Sequence, residues 1–363
     1  KSSGVFQLSG RLISTEERQT INTLIENCVK TGNMSTNRAC ELLGFSERKY
    51  YRWCKNPTDG RLTCDRPKPK RALSEDEVET VVSRYSQVDV RDLSTREAYL
   101  ALEASGEYYC SLSTVQRIFK ANNSSETEDN TSNKSGSGYA APQYEADYPG
   151  KVVCWDITYL DIAEGNRKAY CFAAIDVYSR YIIAAETYEE QTAQNAVKFI
   201  DLVVSRVRQM HGYAPKYLHA DNGSQMRSEA LEKYCLSQGV TLSFSRPAKS
   251  DDNAIIESTF RTLKYPLGLK RKFANFYVCR MAVWYAGVRH NSRPHSAIND
   301  VTPQCRYQNR DKVELRRRKA VMRLARMRHR ERFVKGIRNL DPAPPKLFNP
   351  HGTPVEEGIE GVL

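Results

Sequence analysis

Histidine is scarce and late in this chain of 363 residues: all six lie at or after His211. The N-terminal half therefore cannot build a zinc module of the His/Cys kind, because the imidazole ligands are missing. None of the ten cysteines forms a CxxC pair. They fall inside periodic apolar segments, which argues against a disulfide framework and for a reducing, intracellular compartment. No apolar run approaches the length of a membrane span, so a soluble chain is expected. The start, KSSGVFQLSG, has neither the apolar core of a secretory signal nor a Met, and reads as a trimmed or cloned end. Acidic residues are outnumbered, 43 against 55 Lys and Arg, giving a net charge of +12 and a pI near 9.1. That balance favours a polyanionic partner.

What is present is first helical. Ser14 and Glu17 have capping-box spacing, followed by Ile21, Leu24, Ile25 and Cys28 at helical intervals. A second helix after Ser35 is broken at Gly44-Phe45, and Ser46 can cap a third from Glu47 to Cys54. Helix, short Gly-containing turn and helix describe a helix-turn-helix over residues 1–58, with Arg48, Lys49 and Arg52 outward as candidate DNA contacts. An ordinary hairpin with a solvated basic face is the alternative. A Pro-rich basic linker, 59–72, follows. Helices from Glu75 to Tyr85, after the capping box of Ser94 and Glu97, and from Thr114 to Lys120 capped by Ser113 form a second candidate unit over 73–121. There Val115, Ile118 and Phe119 point inward and Gln116, Arg117 and Lys120 outward. The stretch NNSSETEDNTSNKSGSG has no apolar residue, so 122–149 reads as a flexible linker.

From 151 the pattern becomes α/β. Three strands in series, then helix, strand, helix, strand and helix, predict a mixed sheet with helices on both faces over 150–303. Two carboxylates are out of place in it. Asp156 lies mid-strand in VVCWDITYL, on the side of Cys154 and Thr158, where a carboxylate is costly unless paired or bound to metal. Asp221 ends an apolar strand in HADNGSQM; alone it could simply cap a turn. A third, Glu257, shares a helix face with Asn253, Arg261 and Lys264 in DNAIIESTFRTLK, 35 residues after Asp221.

WDITY, HADNGSQ and DNAIIESTFRTLK, in that order and spacing, resemble the DDE transposase and retroviral-integrase superfamily. The segment RHNSRPHSAINDVTP is similar to the end of the core in integrase-like insertion-sequence transposases. The resemblance covers about 150–303 and extends more weakly to the helical units before it. It implies a ribonuclease-H-like core with a five-stranded mixed sheet, and Asp156, Asp221 and Glu257 as catalytic metal ligands. Two Mg²⁺ per active site are implied, with Mn²⁺ able to substitute, as hard cations that take carboxylate oxygens. It further implies double-stranded DNA as partner, both element ends and target. Water first attacks a phosphodiester at the element's end, and the freed 3′-hydroxyl then attacks target DNA. Two ends must be joined, so a homo-oligomer, at least a dimer, is expected, DNA-associated inside the cell. Asn253, Arg261 and Lys264 are candidate phosphate contacts beside the site, with simple solvated helix charges the alternative for Arg261 and Lys264, and His219 is expected to be structural or to support the ligands from behind. A DNA-binding protein with a retired core, or a nuclease that cuts without joining, are the rival readings.

The extension 304–363 matches no familiar small barrel. Of the net charge of +12, +10 lies between Lys312 and Arg338. Val313, Ala320, Val321, Leu324, Met327 and Val334 suggest the apolar stripe of a basic helix, with Arg316, Arg317, Arg318, Lys319, Arg323 and Arg326 as candidate DNA contacts. The expected architecture is multidomain: all-α helix-turn-helix units, an α/β catalytic core and a basic helical tail.

Overall fold

The structure is a computed structural model that describes residues 13–32, 34–44, 46–58, 69–122, 142–246, 253–348 and 353–354. The turn residue Phe45, most of the 59–72 linker, the polar stretch after Asn122 and the last residues lie outside these. The chain forms two compact units, 1–72 and 73–363. No helix among the described residues is long and apolar enough to cross a membrane. The nine cysteines described are all free thiols.

In the first unit, α1 (Thr15–Gly32), α2 (Thr36–Leu42) and α3 (Glu47–Lys55) enclose Ile13, Ile25, Ala39, Cys40, Tyr50 and Trp53. The capping box at the start of α1 is present: Ser14 N–H donates to Glu17 at 2.9 Å and Glu17 N–H to Ser14 Oγ at 3.1 Å. Tyr50 and Trp53 are buried, whereas Tyr51 is exposed.

The second unit begins with α4 (Glu75–Tyr85), α5 (Thr95–Ser105) and α6 (Leu112–Asn122). Capping boxes at Ser74/Glu77 and Ser94/Glu97 start α4 and α5. α6 begins two residues before the position expected, because Ser111 rather than Ser113 receives the Thr114 N–H. Val115, Ile118 and Phe119 pack inward with Val81, Leu100 and Leu102.

The core sheet is built from β2 (Val152–Asp161), β3 (Lys168–Asp176), β4 (Ile182–Tyr188), β5 (Tyr217–Ala220) and β6 (Thr241–Phe244), in the order β4-β3-β2-β5-β6. β2, β3 and β4 run antiparallel; β5 and β6 join parallel to β2. Alternation along β2 splits its side chains between two cores. Val153 and Trp155 meet Phe199, Ile200, Val203 and Leu231 of α7 (Ala193–His211) and α8 (Glu229–Ser237). Cys154 meets Ile256, Phe260, Cys279 and Val283 of α9 (Ala254–Lys264) and α10 (Phe276–Ser292). The expected mixed five-stranded sheet with helices on both faces is therefore present.

The ends of this unit depart from expectation. Residues 142–146, placed in the flexible linker, form a strand, β1 (Pro142–Ala146). It pairs antiparallel with β7 (Lys346–Phe348) and parallel with β8 (Thr353–Pro354), both far along the tail. After the short α11 (Pro303–Tyr307), the tail helix α12 (Asp311–Arg328) exists, but the stripe named for it is on the wrong side. Val313, Leu324 and Met327 of the helix are exposed, as is Val334 beyond it; Asp311, Leu315, Arg318, Met322 and Ala325 are buried. Leu315, Met322 and Phe333 close a separate apolar cluster with Ile298, Val301 and Leu340, against which Tyr108 packs. The tail also holds the α4–α6 helices through ion pairs. Arg332 reaches Glu77 at 2.8 Å, and Arg338 pairs with the fully buried Glu103 of α5. Burial holds Glu103 above the usual carboxylate range despite that partner. Arg338→Ala would leave a buried carboxylate unpaired. Its expected cost is about 3–5 kcal/mol of stability, measurable by denaturant unfolding.

Candidate active site

The chain runs outward from β2 through β3 to β4, then crosses back to place β5 on the other side of β2. Such a reversal leaves a crevice at the carboxyl ends of the parallel strands, where open α/β sheets bind ligands. Asp156 and Asp221 both lie there. In the β2–β5 ladder Cys154 stands opposite His219. Two residues further, the same register sets Asp156 beside Asp221, the first residue past β5. β5 is short, so the middle of β2 is level with its end. The third carboxylate, Glu257, comes from the first turn of α9, the helix packed on that face of β2.

Asp156 is half-buried and its Oδ1 accepts the Ile157 N–H at 2.7 Å. Its pKa is pushed up to about 7, first by burial and then by the negative charges of Asp221 and Glu257, against the pull of Lys264. These four groups thus share one field. Asp221 and Glu257 are exposed. Among the described residues no three His, Cys, Asp or Glu side chains are grouped closely enough to hold one ion together.

Bracing residues around Asp221 escaped the sequence reading. Asp221 Oδ1 accepts the Gly223 N–H at 2.9 Å, and a Cβ on Gly223 would stand 3.1 Å from that oxygen. Asn222 donates its side-chain amide to the Ser245 carbonyl and accepts from Arg227 Nε at 2.9 Å; Arg227 lies over the Phe244 ring. The turn carrying Asp221 is thereby tied to the end of β6. Asn222 stood inside HADNGSQ, but its partner is 23 residues away and no local pattern points to it. His219 is fully buried between Ser243 Oγ (2.9 Å) and Ser245 Oγ (3.2 Å), the structural place expected for it.

The other candidate residues are dispersed. Lys264 lies on the active-site face and donates to Thr158 Oγ1, while Arg261 is exposed one turn earlier. Asn253 is buried, and neither its amide nitrogen nor its oxygen has a partner among the described residues, so it is not presented to solvent. Arg48 and Arg52 are exposed on α3, and Lys49 lies with its Nζ 4.9 Å from the Trp53 ring. Gln116, Arg117 and Lys120 are exposed on α6. On α12, Arg316, Arg317, Arg323 and Arg326 are exposed and Lys319 pairs with Asp341 at 3.0 Å. Arg318 corrects the expectation: it is buried, bonded to Glu314 and to the Asp300 carbonyl, because it sits on the helix face that packs.

Two integrase core domain family models match the chain, over residues 146–250 and 238–303. A transposase for insertion sequence element IS904 from Lactococcus lactis is 29% identical over 140 residues, 37% of this chain and 53% of that protein. A putative transposase InsK for insertion sequence element IS150 from Escherichia coli is 26% identical over 161 residues, 44% of this chain and 55% of that protein. The chain thus spans about half the length of the curated relatives it matches. Among solved structures, the catalytic core domain of BIV integrase aligns with 46% of this chain and 98% of its own, at 21% identity and a TM-score of 0.34. Residues 146–303 thus form an integrase core domain, the core shared by the DDE transposase and integrase superfamily.

Proposed function

We propose that the protein is a DNA transposase that binds the ends of a mobile element, cleaves phosphodiester bonds there and joins the 3′-hydroxyl ends to target DNA inside the cell. The observation that carries this reading is the register that sets Asp156 beside Asp221 at the sheet's reversal point, with Glu257 in the first turn of the helix packed on that face. The donor set is all oxygen and fits a hard divalent cation, two Mg²⁺ in this proposal, with Mn²⁺ able to substitute. Each such ion takes only one or two carboxylates, the rest of its shell being water and phosphate oxygens, so no three-ligand cage is required. The Asp156 pKa is raised first by burial and further by the charges of Asp221 and Glu257. When bound, the cations supply positive charge at both the attacking and the leaving oxygen of the phosphodiester.

The protein's residues do the rest. Asp156 and Asp221 present oxygens from two adjacent strands, and Glu257 from a helix seated on them. The Asn222, Gly223 and Arg227 contacts fix Asp221 before substrate arrives, the condition for electrostatic stabilisation without reorganisation. Lys264, tied to Thr158, and Arg261 hold phosphates next to the carboxylates. Arg48, Lys49 and Arg52, and Gln116, Arg117 and Lys120, contact the element's ends as helix-turn-helix units; the exposed arginines of α12 add contacts that do not depend on sequence. A strand-transfer assay with oligonucleotide ends, target duplex and Mg²⁺ tests the whole. Joined product is expected; cleavage without joining would demote the protein to a nuclease.

Two ends require two active sites, and α10 offers the surface for a second copy. Tyr277, Met281, Trp284, Tyr285 and Val288 form one exposed apolar stripe on it. Trp284→Glu is expected to shift the protein from oligomer to monomer in light scattering and to abolish joining of paired ends, with the fold retained. An unchanged mass would place the interface elsewhere.

A further inference from the structure

The turn between β3 and β4 carries a cation that no side chain among the described residues ion-pairs. Arg180 has φ of 64°, a left-handed conformation that non-glycine residues hold only where their surroundings over-determine it. Here they do. The buried carboxylate of Asp176 accepts the N–H groups of Gly150 and Ser179, each at 2.8 Å, and the Ser179 hydroxyl. Arg180 N–H donates to the Asp176 carbonyl at 2.9 Å, and the Arg180 carbonyl lies 2.9 Å from His290 Nε2. A glycine would make this turn without strain, so an arginine here calls for a role beyond reversing the chain.

The guanidinium is half-buried, and burial holds its pKa below the usual value. Among the described residues no side chain ion-pairs with it or hydrogen-bonds to it. The nearest acid, Asp176, has its oxygens occupied by the turn. Arg180 lines a cavity of about 320 Å³ on the flank of α9, together with Ser258, Thr259, His295 and, from the tail strand β7, Lys346; among the described residues no acidic side chain lines it. Ser258 and Thr259 both donate to the Ile255 carbonyl at 2.8 Å, so the side-chain donors left to the cavity are the two cations and the His295 imidazole, whose Nδ1 accepts the Ala297 N–H. His295 reports the same field: burial, His290 and Arg180 hold it down to about 4, against the opposing charge of Asp300.

A half-buried guanidinium without an ion-pair partner still bears part of the cost of leaving water, and its planar fork matches a phosphate. We propose that Arg180 and Lys346 together bind a phosphate group of a DNA strand in this cavity, an anion site separate from the three carboxylates. The phosphate chemistry stands on the cavity itself; that the phosphate belongs to DNA rests on the transposase reading.

The test uses the full chain and its Arg180→Gln, Lys346→Gln and Asp156→Asn variants. Inorganic phosphate is titrated at constant ionic strength while the melting temperature and the His295 imidazole NMR signal are followed. Phosphate should stabilise the wild type and Asp156→Asn and shift the His295 signal. It should do neither in Arg180→Gln, which should melt a few degrees higher than wild type without phosphate, and only weakly in Lys346→Gln. In a second arm, duplex binding is measured against salt. Each of the Arg180 and Lys346 variants should lower the slope of log affinity against log salt by about 0.9. An Arg180→Gln protein that melts lower and still responds to phosphate would make Arg180 structural and overturn the site. A lost phosphate response with an unchanged DNA slope would overturn DNA as the source. A normal phosphate response in a wild type that fails strand transfer would leave the anion site standing and remove the transposase reading.

Discussion

Asp156→Asn, Asp221→Asn and Glu257→Gln are each expected to abolish cleavage and joining, lowering the rate about 10³-fold or more, while DNA binding survives. In the proposed site each replaces an oxygen donor to a divalent cation by a weaker neutral one, and none of the three belongs to the proposed recognition helices. Turnover above contaminating wild type in any purified variant would remove that residue from the site. Asp156→Asn carries a second expectation with a definite sign. Its folded pKa, about 7, is above the ordinary value of 3.8, so the folded state favours the protonated form. The cost of the ionised carboxylate grows as pH rises from about 4 through 7 and is complete above that. Without metal, the amide should therefore be the more stable protein at pH 8, by roughly 1–3 kcal/mol, and the difference should vanish near pH 4. Equal stability at pH 8 would mean that the carboxylate is not under the strain described.

Truncation after Thr302 is expected to cost on the order of 5 kcal/mol or more, rather than merely to weaken DNA binding. It removes Leu315, Met322, Phe333 and Leu340 from one apolar cluster, at about 1.5–3 kcal/mol for each large side chain. It also strips Glu77 and Glu103 of their arginines. The electrostatic share of the tail has to be measured separately, by replacing the exposed Arg316, Arg317, Arg323 and Arg326 with Gln. That protein should keep its stability to within about 1 kcal/mol. Its salt slope for duplex binding should fall by about 0.9 for each phosphate that the arginines no longer neutralise. A slope that does not move would take α12 out of the DNA interface.

The core was legible because its signals are local. Asp156 contradicts the alternation of its own strand, Asp221 ends its strand in a turn, and Glu257 shares one helix face with Arg261 and Lys264. Each oddity shows within about a dozen residues, and the β2–β5 register then sets the two aspartates side by side, with Glu257 on the helix packed against that face. The tail was not legible for the opposite reason. Which face of α12 is buried is decided by Ile298 and Val301, which lie outside the helix, and by Tyr108, about 200 residues before it. An apolar stripe chosen by composition passed over Arg318, whose aliphatic stem packs while its guanidinium finds Glu314 and the Asp300 carbonyl. β1 was hidden likewise: PQYEA has little strand pattern of its own and is a strand because Lys346–Phe348 lies against it.

That last pairing sets a clock on biogenesis. Tyr144 meets Phe348, about 200 residues later in the chain. At synthesis rates of about 5–20 residues per second, β1 leaves the ribosome roughly 10–40 s before its partner. The core sheet can assemble in that interval, because β2 to β6 are already available. The small outer sheet cannot, and its closure joins segments of high sequence separation, the slow kind of step in folding. Until then β1 has an open edge, and a neighbouring nascent chain of the same protein carries the matching strand.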